Sequence, residues 1–161
     1  MMPARTRRGD RNTPMSYSED SAMRPMPVWY HETYTEGISR SARFPRDRYR
    51  MLRERLNDLH GTGLICIESP EPVVRDTLLI AHEQDYVDRF LSGSLDAKEV
   101  RRIGLEPWTD AFLPRTMRII GGAVEALAHV TRFGGIAANM AGGTHHSHKS
   151  FGSGYCVFND L

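Results

Sequence analysis

Apolar residues follow two different spacings along the chain, one typical of strands and one typical of helices. Short apolar runs at 26–30, 64–68 and 136–140 predict strands. Between these runs, apolar residues recur every three or four positions, which is the spacing of one helix face. We expect helices over residues 48–61, 76–93 and about 109–130. Strands that alternate with helices in this way predict an α/β fold with a parallel sheet.

Apolar stripes on the predicted helices indicate which faces are buried. Asp47 is placed to cap the first helix, and Gly61 is placed to end it. The stripe of this helix consists of Tyr49, Leu52, Leu56 and Leu59. The stripe of the last predicted helix consists of Ile120, Ala123, Val124 and Leu127. Residues 94–107 are predicted to be a charged connection.

Several residues inside these elements are interpreted as structural. Gly121 and Gly122 lower the helix propensity at the centre of the last helix, so we expect close contact with a neighbouring element there. His82 lies on the apolar side of its helix, four residues before Tyr86, and is interpreted as a hydrogen-bonded structural histidine. His31 follows the first strand, and we assign it a structural role at the strand end.

The composition is that of an ordinary soluble globular domain. The chain has 161 residues, of which 40% are hydrophobic and 25% are charged, and its formal net charge is +1. This length suits one domain, which we place at 26–161. Residues 1–25 lack periodicity and mix arginine, serine, proline and acidic residues, so we predict a disordered N-terminal extension. A charge this small provides no general field to recruit nucleic acid or an acidic membrane.

Cysteine usage and the apolar segments indicate a cytoplasmic protein. Cys66 and Cys156 are far apart and form no CxxC pair, which supports neither a disulfide framework nor a zinc finger. No apolar run approaches the roughly 20 residues of a membrane-spanning helix. The first residues also lack the apolar segment of a secretory signal. We therefore predict a reducing, cytoplasmic setting and no membrane partner.

The segment richest in chemical groups is 141–161, which reads AGGTHHSHKSFGSGYCVFNDL. His145 and His146 stand between two glycine-rich runs, shortly after the last predicted strand. Ligands of open α/β sheets bind at the carboxyl ends of strands, so we predict that the pair lines a site. Two imidazoles could act in hydrolysis at a metal, where one polarises the attacking water and the other moves protons to the leaving group. An apolar channel beside them could be walled by Phe151, Tyr155 and Phe158.

Two other interpretations of this segment stay open. His145 and His148 could bind a metal directly, although a zinc site with three protein ligands normally draws at least one from elsewhere in the chain. The loop could also be wholly structural. Side chains of adjacent residues on an extended backbone point to opposite sides, so we expect the rings of His145 and His146 to meet different partners.

The string GGTHHSHKSFGSGYCVFNDL resembles the histidine loop of the histone-deacetylase-like family. This family includes acetylpolyamine amidohydrolases and acetoin-utilisation proteins and belongs to the arginase/deacetylase superfamily. AHEQDYV at 81–87, IGLEPW at 103–108 and the glycine-containing helix at 118–128 also occur in matching order. The resemblance covers about 27–161. It implies part of a three-layer α/β/α fold with a parallel sheet.

The same resemblance implies roles for individual residues of a zinc-dependent deacetylase that acts on acetyl-lysine or acetylated polyamine. His145 would stabilise the metal-bound water and the developing oxyanion, and His146 would act first as general base and then as general acid. Gly154 would contact the substrate through its backbone, and Tyr155 would wall the channel where many relatives have phenylalanine. Thr144 stands where many relatives carry an aromatic residue.

The metal half of the family's site falls outside these 161 residues. In the family, zinc is held by an Asp-x-His that follows this loop and by a later aspartate. We therefore expect an amino-terminal part of a deacetylase-like domain, with no metal ligand in this chain and no activity of the chain alone. The missing carboxyl-terminal half would be its partner. The alternatives are a non-catalytic remnant or interaction module of that fold, and an independent metal-binding protein that uses the HHSH cluster.

Overall fold

In the computed structural model, which describes residues 24–161, a three-stranded parallel sheet forms the centre. Its strands are β1 (Met26–Trp29), β2 (Ile65–Glu68) and β3 (Ala138–Asn139). β1 lies in the middle, where Val28 is in register with Ile67 on one side and with Ala138 on the other. Because the strands are parallel, the segments that follow them all leave from the same edge of the sheet.

Helices fill the connections between these strands. A 3-10 helix covers Glu32–Thr35, and the α-helices of the described part are α1 (Arg48–Gly61), α2 (Arg75–Leu78), α3 (Gln84–Leu91), α4 (Ala97–Ile103) and α5 (Phe112–Phe133). The α/β class and the parallel sheet predicted from the sequence are confirmed. The predicted extension, 1–25, lies outside the described residues except for its last two.

The predicted helix at 76–93 is wrong, because the chain forms two helices separated by turns at 79–83. At Glu83 a bond to a distant segment replaces the helical hydrogen bond. The Glu83 N–H donates to the Lys149 carbonyl at 2.9 Å, and the ring of His82 bonds to the same region of the chain. Residue spacing alone carries no sign of these long-range bonds.

Helix α4 corrects the prediction of a charged connection at 94–107. Asp96 accepts hydrogen bonds from the N–H groups of Lys98 and Glu99, and the Glu99 carboxylate accepts one from the Asp96 N–H. This reciprocal capping box starts the helix. Gly104, at φ 82°, ends it in a left-handed conformation that favours glycine.

The ends of the first predicted helix are close to their expected places, but their chemistry differs. Asp47 directly precedes α1 and makes no side-chain capping bond, because its own backbone is helical rather than extended. At the other end, Gly61 is the last helical residue. The left-handed residue is Gly63, at φ 76°, whose N–H donates to the His60 carbonyl.

The predicted apolar stripes are buried only near the sheet. On α1 only Tyr49 is buried, whereas Leu52 and Leu59 are exposed. On α5 the buried residues lie in the first half of the helix, and Leu127 is 69% exposed. At about 1.5 Å per residue, α5 is roughly 33 Å long. A strand of four residues spans only about 13 Å, so the described sheet is too short to cover the second half of α5.

β3 is also shorter than the predicted strand at 136–140. Only two residues pair with β1, and Ile136 is 73% exposed. The Met140 N–H donates to the Trp29 carbonyl at 3.0 Å, just after the strand. β3 is an edge strand in the described part of the chain, which explains why its residues are half-buried rather than buried.

Gly121 and Gly122 confirm the predicted close contact at the centre of α5. A Cβ atom added to Gly121 would lie 1.9 Å from the Glu71 carbonyl oxygen. At Gly122 it would lie 2.8 Å from the Tyr34 hydroxyl and 2.9 Å from the Asn139 side chain. The missing side chains therefore let α5 approach both the segment after β2 and the end of β3.

Candidate active site

A histidine loop, which we define as residues 141–152, follows β3 at the carboxyl edge of the sheet. The last residues of the chain hold its first part in place. The Asp160 carboxylate accepts hydrogen bonds from the Gly143 N–H at 2.9 Å and from the Thr144 N–H at 2.7 Å. Asn159 donates through Nδ2 to the Ser147 carbonyl at 3.0 Å. The residues that precede and follow the histidine pair are therefore fixed from the same side.

Buried His82 links the histidine loop to the end of the chain. Its Nδ1 donates to the His148 carbonyl at 3.0 Å, and its Nε2 accepts a hydrogen bond from the Asn159 N–H at 3.0 Å. These two bonds require the neutral ring with the proton on Nδ1. The ring is 4% exposed and lies against Tyr86 and Phe158. The interpretation of His82 as a hydrogen-bonded structural histidine is confirmed.

We expect acid to weaken the folded state through His82. Burial lowers the pKa of this ring below its ordinary value of about 6.5, so the unfolded chain takes up the proton at a higher pH than the folded chain does. The stability contributed by His82 is therefore complete above about pH 6.5 and is lost as the pH falls through the folded-state pKa. Urea unfolding of the chain between about pH 5 and pH 8 measures this slope.

The variant His82→Gln should flatten that slope. It should also lower the free energy of unfolding above about pH 7 by roughly 1–3 kcal/mol, because a buried donor or acceptor loses its partner. His148→Gln is the matched control, since this histidine is exposed and its carbonyl remains in place. Equal slopes for His82→Gln and the unchanged chain would contradict a role of His82 in acid sensitivity.

His31 also has the structural role expected of it. Its Nδ1 accepts a hydrogen bond from the Thr33 N–H at 3.1 Å and so caps the 3-10 helix.

The rings of His145 and His146 lie side by side, with their centroids 4.1 Å apart. This geometry corrects the expectation that the two side chains point to opposite sides, but the rings still meet different partners, since His145 bonds to the Gly143 carbonyl and His146 lies against Gly154. The pair lies in a turn rather than in extended backbone, and Gly143 before it adopts φ 85°. The Nδ1 of His145 donates to the Gly143 carbonyl at 2.8 Å, which leaves Nε2 as the proton-accepting nitrogen of that ring. Both rings are exposed.

His148 is turned away from this pair. Its ring stacks on Phe151 with centroids 4.5 Å apart, and Arg102 lies 4.5 Å from the same Phe151 ring. Within residues 24–161 no three histidine, cysteine, aspartate or glutamate side chains are grouped so that they could hold a metal ion. In this arrangement the HHSH segment does not bring three donor side chains together, and the described residues do not fit a zinc ion on their own.

A cavity of about 160 Å³ opens beside His146 and is lined by Gly154, Tyr155 and Thr144 among others. Gly154 has φ 55°, and a Cβ atom there would lie 3.1 Å from the Cβ of His146, so its backbone comes close to the histidine. The structure brings together His146, Gly154 and Tyr155 from the predicted site.

Two of the predicted site and channel residues lie outside the lining of this cavity. The ring of His145 is beside that of His146 but does not line the cavity, and Phe151 packs with His148 instead. Phe158 does line the cavity, as expected for a channel wall.

The prediction missed three polar lining residues, Arg48, Arg115 and Thr116. A signal for Arg115 was present in the sequence. Arg115 stands three residues after Phe112 and four before Ile119, which is the spacing of one helix face. A charged residue on the apolar face of a helix is an indication of a site.

No helix in the described part of the chain is both long enough and apolar enough to cross a membrane.

These features define an α/β domain in which an imidazole pair and a cavity stand at the carboxyl edge of a parallel sheet. The sequence model of the histone deacetylase domain matches residues 42–161. The chain belongs to the histone deacetylase family. The predicted resemblance is therefore confirmed, and the α/β architecture is consistent with the arginase/deacetylase fold.

Similar proteins include bacterial relatives that are longer than this chain. An uncharacterized protein from Picosynechococcus sp. (strain PCC 7002) is 39% identical over 138 residues, which cover 84% of this chain and 44% of the relative. The acetoin utilization protein AcuC from Staphylococcus xylosus is 28% identical over 144 residues, or 83% and 37% of the two chains. AcuC from Staphylococcus aureus is 29% identical over 108 residues, or 58% and 28%. The chain thus spans less than half the length of these relatives.

Proposed function

We propose that this chain supplies the histidine half of an amide hydrolase that removes acetyl groups from lysine or polyamine nitrogen. The observation that carries the proposal is the position of His146. It lines a cavity together with the close-approaching backbone of Gly154 and the ring of Tyr155, and a second imidazole lies 4.1 Å from its own ring. Membership of the deacetylase family supports acylated substrates.

His146 would carry protons in this reaction. Imidazole takes up and releases protons near neutral pH, so one ring can accept a proton from attacking water and pass it to the leaving amine. His145, held by the Gly143 carbonyl, would stabilise the developing oxyanion beside it. Gly154 leaves space for the acylated side chain, and Tyr155, which is 38% exposed, would wall its entrance.

The ligands that hold zinc at this site would come from outside the described residues. The family is generally zinc-dependent, but residues 24–161 provide no group of donors for a metal. When bound, zinc would activate water and polarise the acyl carbonyl. We infer that residues 26–161 form the amino-terminal part of a deacetylase-like domain and that the remaining part supplies the metal ligands. The small share of its relatives that the chain covers supports this inference.

Exposed apolar residues near β3 are further support for the inference that another part of the domain packs on this one. Leu127 is 69% exposed on α5, and Ile136 is 73% exposed just before the strand. Exposed large apolar side chains and an unpaired sheet edge are both typical of a surface that another element covers. We propose that the carboxyl-terminal part of the domain packs there.

The unpaired thiols of Cys66 and Cys156 support a reducing, cytoplasmic setting for the assembly.

A complementation assay tests the proposed function. The purified chain is assayed with zinc on an acetyl-lysine peptide and on N-acetylputrescine, alone and after co-expression with the carboxyl-terminal part of the Picosynechococcus relative. We expect no turnover by the chain alone, because residues 24–161 bring no set of metal ligands together, and we expect turnover by the complex. A stable complex that hydrolyses neither substrate would favour the interaction module instead. Turnover by the chain alone would contradict the need for a second part.

A further inference from the structure

The cavity beside His146 contains two arginines and no acidic residue. Arg48 and Arg115 both line it, and none of the described lining residues is aspartate or glutamate. The two guanidinium groups lie 4.4 Å and 5.7 Å from the centre of the Phe44 ring. The Phe44 ring also contacts the rings of Tyr155, at 5.3 Å, and Tyr49, at 6.2 Å. Phe44 thus connects the proposed substrate entrance with the positive charges.

Arg115 is a buried cation without a carboxylate partner. It is 3% exposed, and its Nε donates to the Tyr34 carbonyl at 2.9 Å. No ion pair in the described part of the chain includes Arg115 or Arg48. Burial and, to a smaller extent, the nearby charge of Arg48 lower the pKa of Arg115 to about 10. Buried charges in proteins are normally paired, so these surroundings would suit an anionic ligand.

Two threonine hydroxyls in the same cavity also lack partners. The Oγ1 atoms of Thr116 and Thr144 are buried, and neither forms a hydrogen bond within residues 24–161. Most buried polar side-chain atoms have at least one partner. Two hydroxyl donors are therefore available in the cavity that Arg48, Arg115 and His146 also line.

The carboxylate of Asp160 lies close to this cavity but is already engaged by backbone groups. Its two oxygens accept the N–H groups of Gly143 and Thr144, and Asp160 is not a lining residue. The acidic side chain near the histidine loop is thus used to hold the backbone.

We propose that the cavity binds the acyl group of the substrate and that this acyl group ends in a carboxylate, as in the amides of short dicarboxylic acids. The inference rests on the proposed amide hydrolysis and specifies its substrate class. The terminal carboxylate would accept hydrogen bonds from Arg48, Arg115 and the two threonines, while the amide carbonyl is placed beside His146. Guanidinium groups bind carboxylates with charge-assisted hydrogen bonds.

The size of the cavity fits such a group. A cavity of about 150 Å³ holds a molecule of the size of benzene, and this one has about 160 Å³. An acetyl group would leave most of that space unfilled, whereas a succinyl group would fill more of it and carry a carboxylate into the cavity that Arg48 and Arg115 line. In the reaction, water oxygen bonds to the acyl carbon, the carbon–nitrogen bond breaks, and the amine leaves with a proton. The products are a dicarboxylate and a free amine.

Binding to the purified chain tests the charge preference without any need for turnover. The probes are N-methylsuccinamic acid, its neutral counterpart N-methylsuccinamide, and acetate, each titrated at about pH 7.5 while the amide signals of Thr144 and Gly154 are followed by NMR. We expect the acid to bind at least about tenfold more tightly than the neutral amide, and acetate to bind more weakly than the acid. Equal affinities for acid and amide, or acetate as tight as the acid, would overturn the inference.

Two variants and a matched control locate the carboxylate. Arg48→Gln and Thr116→Val should each lower the affinity for the acid about tenfold and change the affinity for the neutral amide little. Arg50→Gln removes the same charge from the same helix, but Arg50 pairs with Glu54 at 2.6 Å and does not line the cavity. It should bind the acid as the unchanged chain does. An equal loss with Arg50→Gln would indicate a general charge effect and overturn the inference.

An activity assay of the complex with the carboxyl-terminal part tests the carboxylate preference separately from the proposed hydrolase function. The complex is assayed on paired peptides that carry N-succinyl-lysine or N-acetyl-lysine. Faster hydrolysis of the succinyl peptide, reduced by Arg48→Gln, is the expected result. Faster hydrolysis of the acetyl peptide would overturn the carboxylate preference and leave the hydrolase function intact. Hydrolysis of neither peptide would contradict the hydrolase function, and the binding titration would then decide whether the cavity takes a carboxylate.

Discussion

Replacement of His146 by alanine is expected to lower kcat/KM of the complemented enzyme by about 100-fold to 10,000-fold, the usual contribution of a positioned acid–base group. His146 is the histidine of the pair that lines the cavity, and the backbone of Gly154 lies against it. Its ring is exposed, so its removal leaves no void in the core. Thermal unfolding should therefore show an almost unchanged Tm while turnover is lost.

His148→Ala is the matched control for this experiment. It removes the same side chain from the same loop, at a position where the ring stacks on Phe151 and does not line the cavity. The carbonyl of His148, which binds His82, is kept. We expect less than about a threefold change in kcat/KM, as for a surface substitution away from the reacting atoms. Equal losses in His146→Ala and His148→Ala would show that the loop as a whole, rather than the His146 imidazole, is required.

The parts of the fold that follow local rules could be predicted from the sequence. The strand regions, the parallel arrangement and the two ends of α1 follow from spacing and turn residues. The glycine pair of α5 was informative because glycine inside a helix needs a compensating contact, and Glu71 and Asn139 provide it.

The parts that depend on distant contacts could not be predicted. The turn between α2 and α3 arises because His82 bonds to the histidine loop and to Asn159, which are more than 60 residues away in sequence. Helical spacing predicted a continuous helix, since it measures only local order. In the same way, spacing predicted that Val124 and Leu127 are buried, but both are exposed in the described part of the chain, because burial depends on which element packs against the helix.

The candidate site was predicted in its position and partly in its chemistry. The glycine-flanked histidines after a strand placed the site at the sheet edge, and His146, Gly154 and Tyr155 do meet at one cavity. The side-by-side rings of His145 and His146 could not be foreseen, because they depend on the turn after Gly143. The two arginines of the cavity come from α1 and α5, and no short motif connects them to the histidine loop.

The segment after β2 that packs against Gly121 cannot move away freely, because hydrogen bonds hold it to α5. Val73 donates its N–H to the Met117 carbonyl at 2.9 Å, and the Glu71 N–H donates to the Glu125 carboxylate at 2.8 Å. Arg118 also donates to the Pro70 carbonyl. The backbone after β2 is thus bound to α5 on both sides of the point where Gly121 touches it.

Gly121→Ala is therefore expected to lower the free energy of unfolding by about 2–4 kcal/mol. Alanine gains up to about 1 kcal/mol of helix propensity, but a Cβ atom 1.9 Å from the Glu71 carbonyl oxygen forces the helix and this segment apart. The shift would also move Thr116, so binding of N-methylsuccinamic acid should weaken. Gly61→Ala is the control, because a Cβ there meets no atom within 4 Å and should be neutral or slightly stabilising. Urea unfolding of both variants measures the difference, and equal stabilities would show that the segment after β2 yields at little cost.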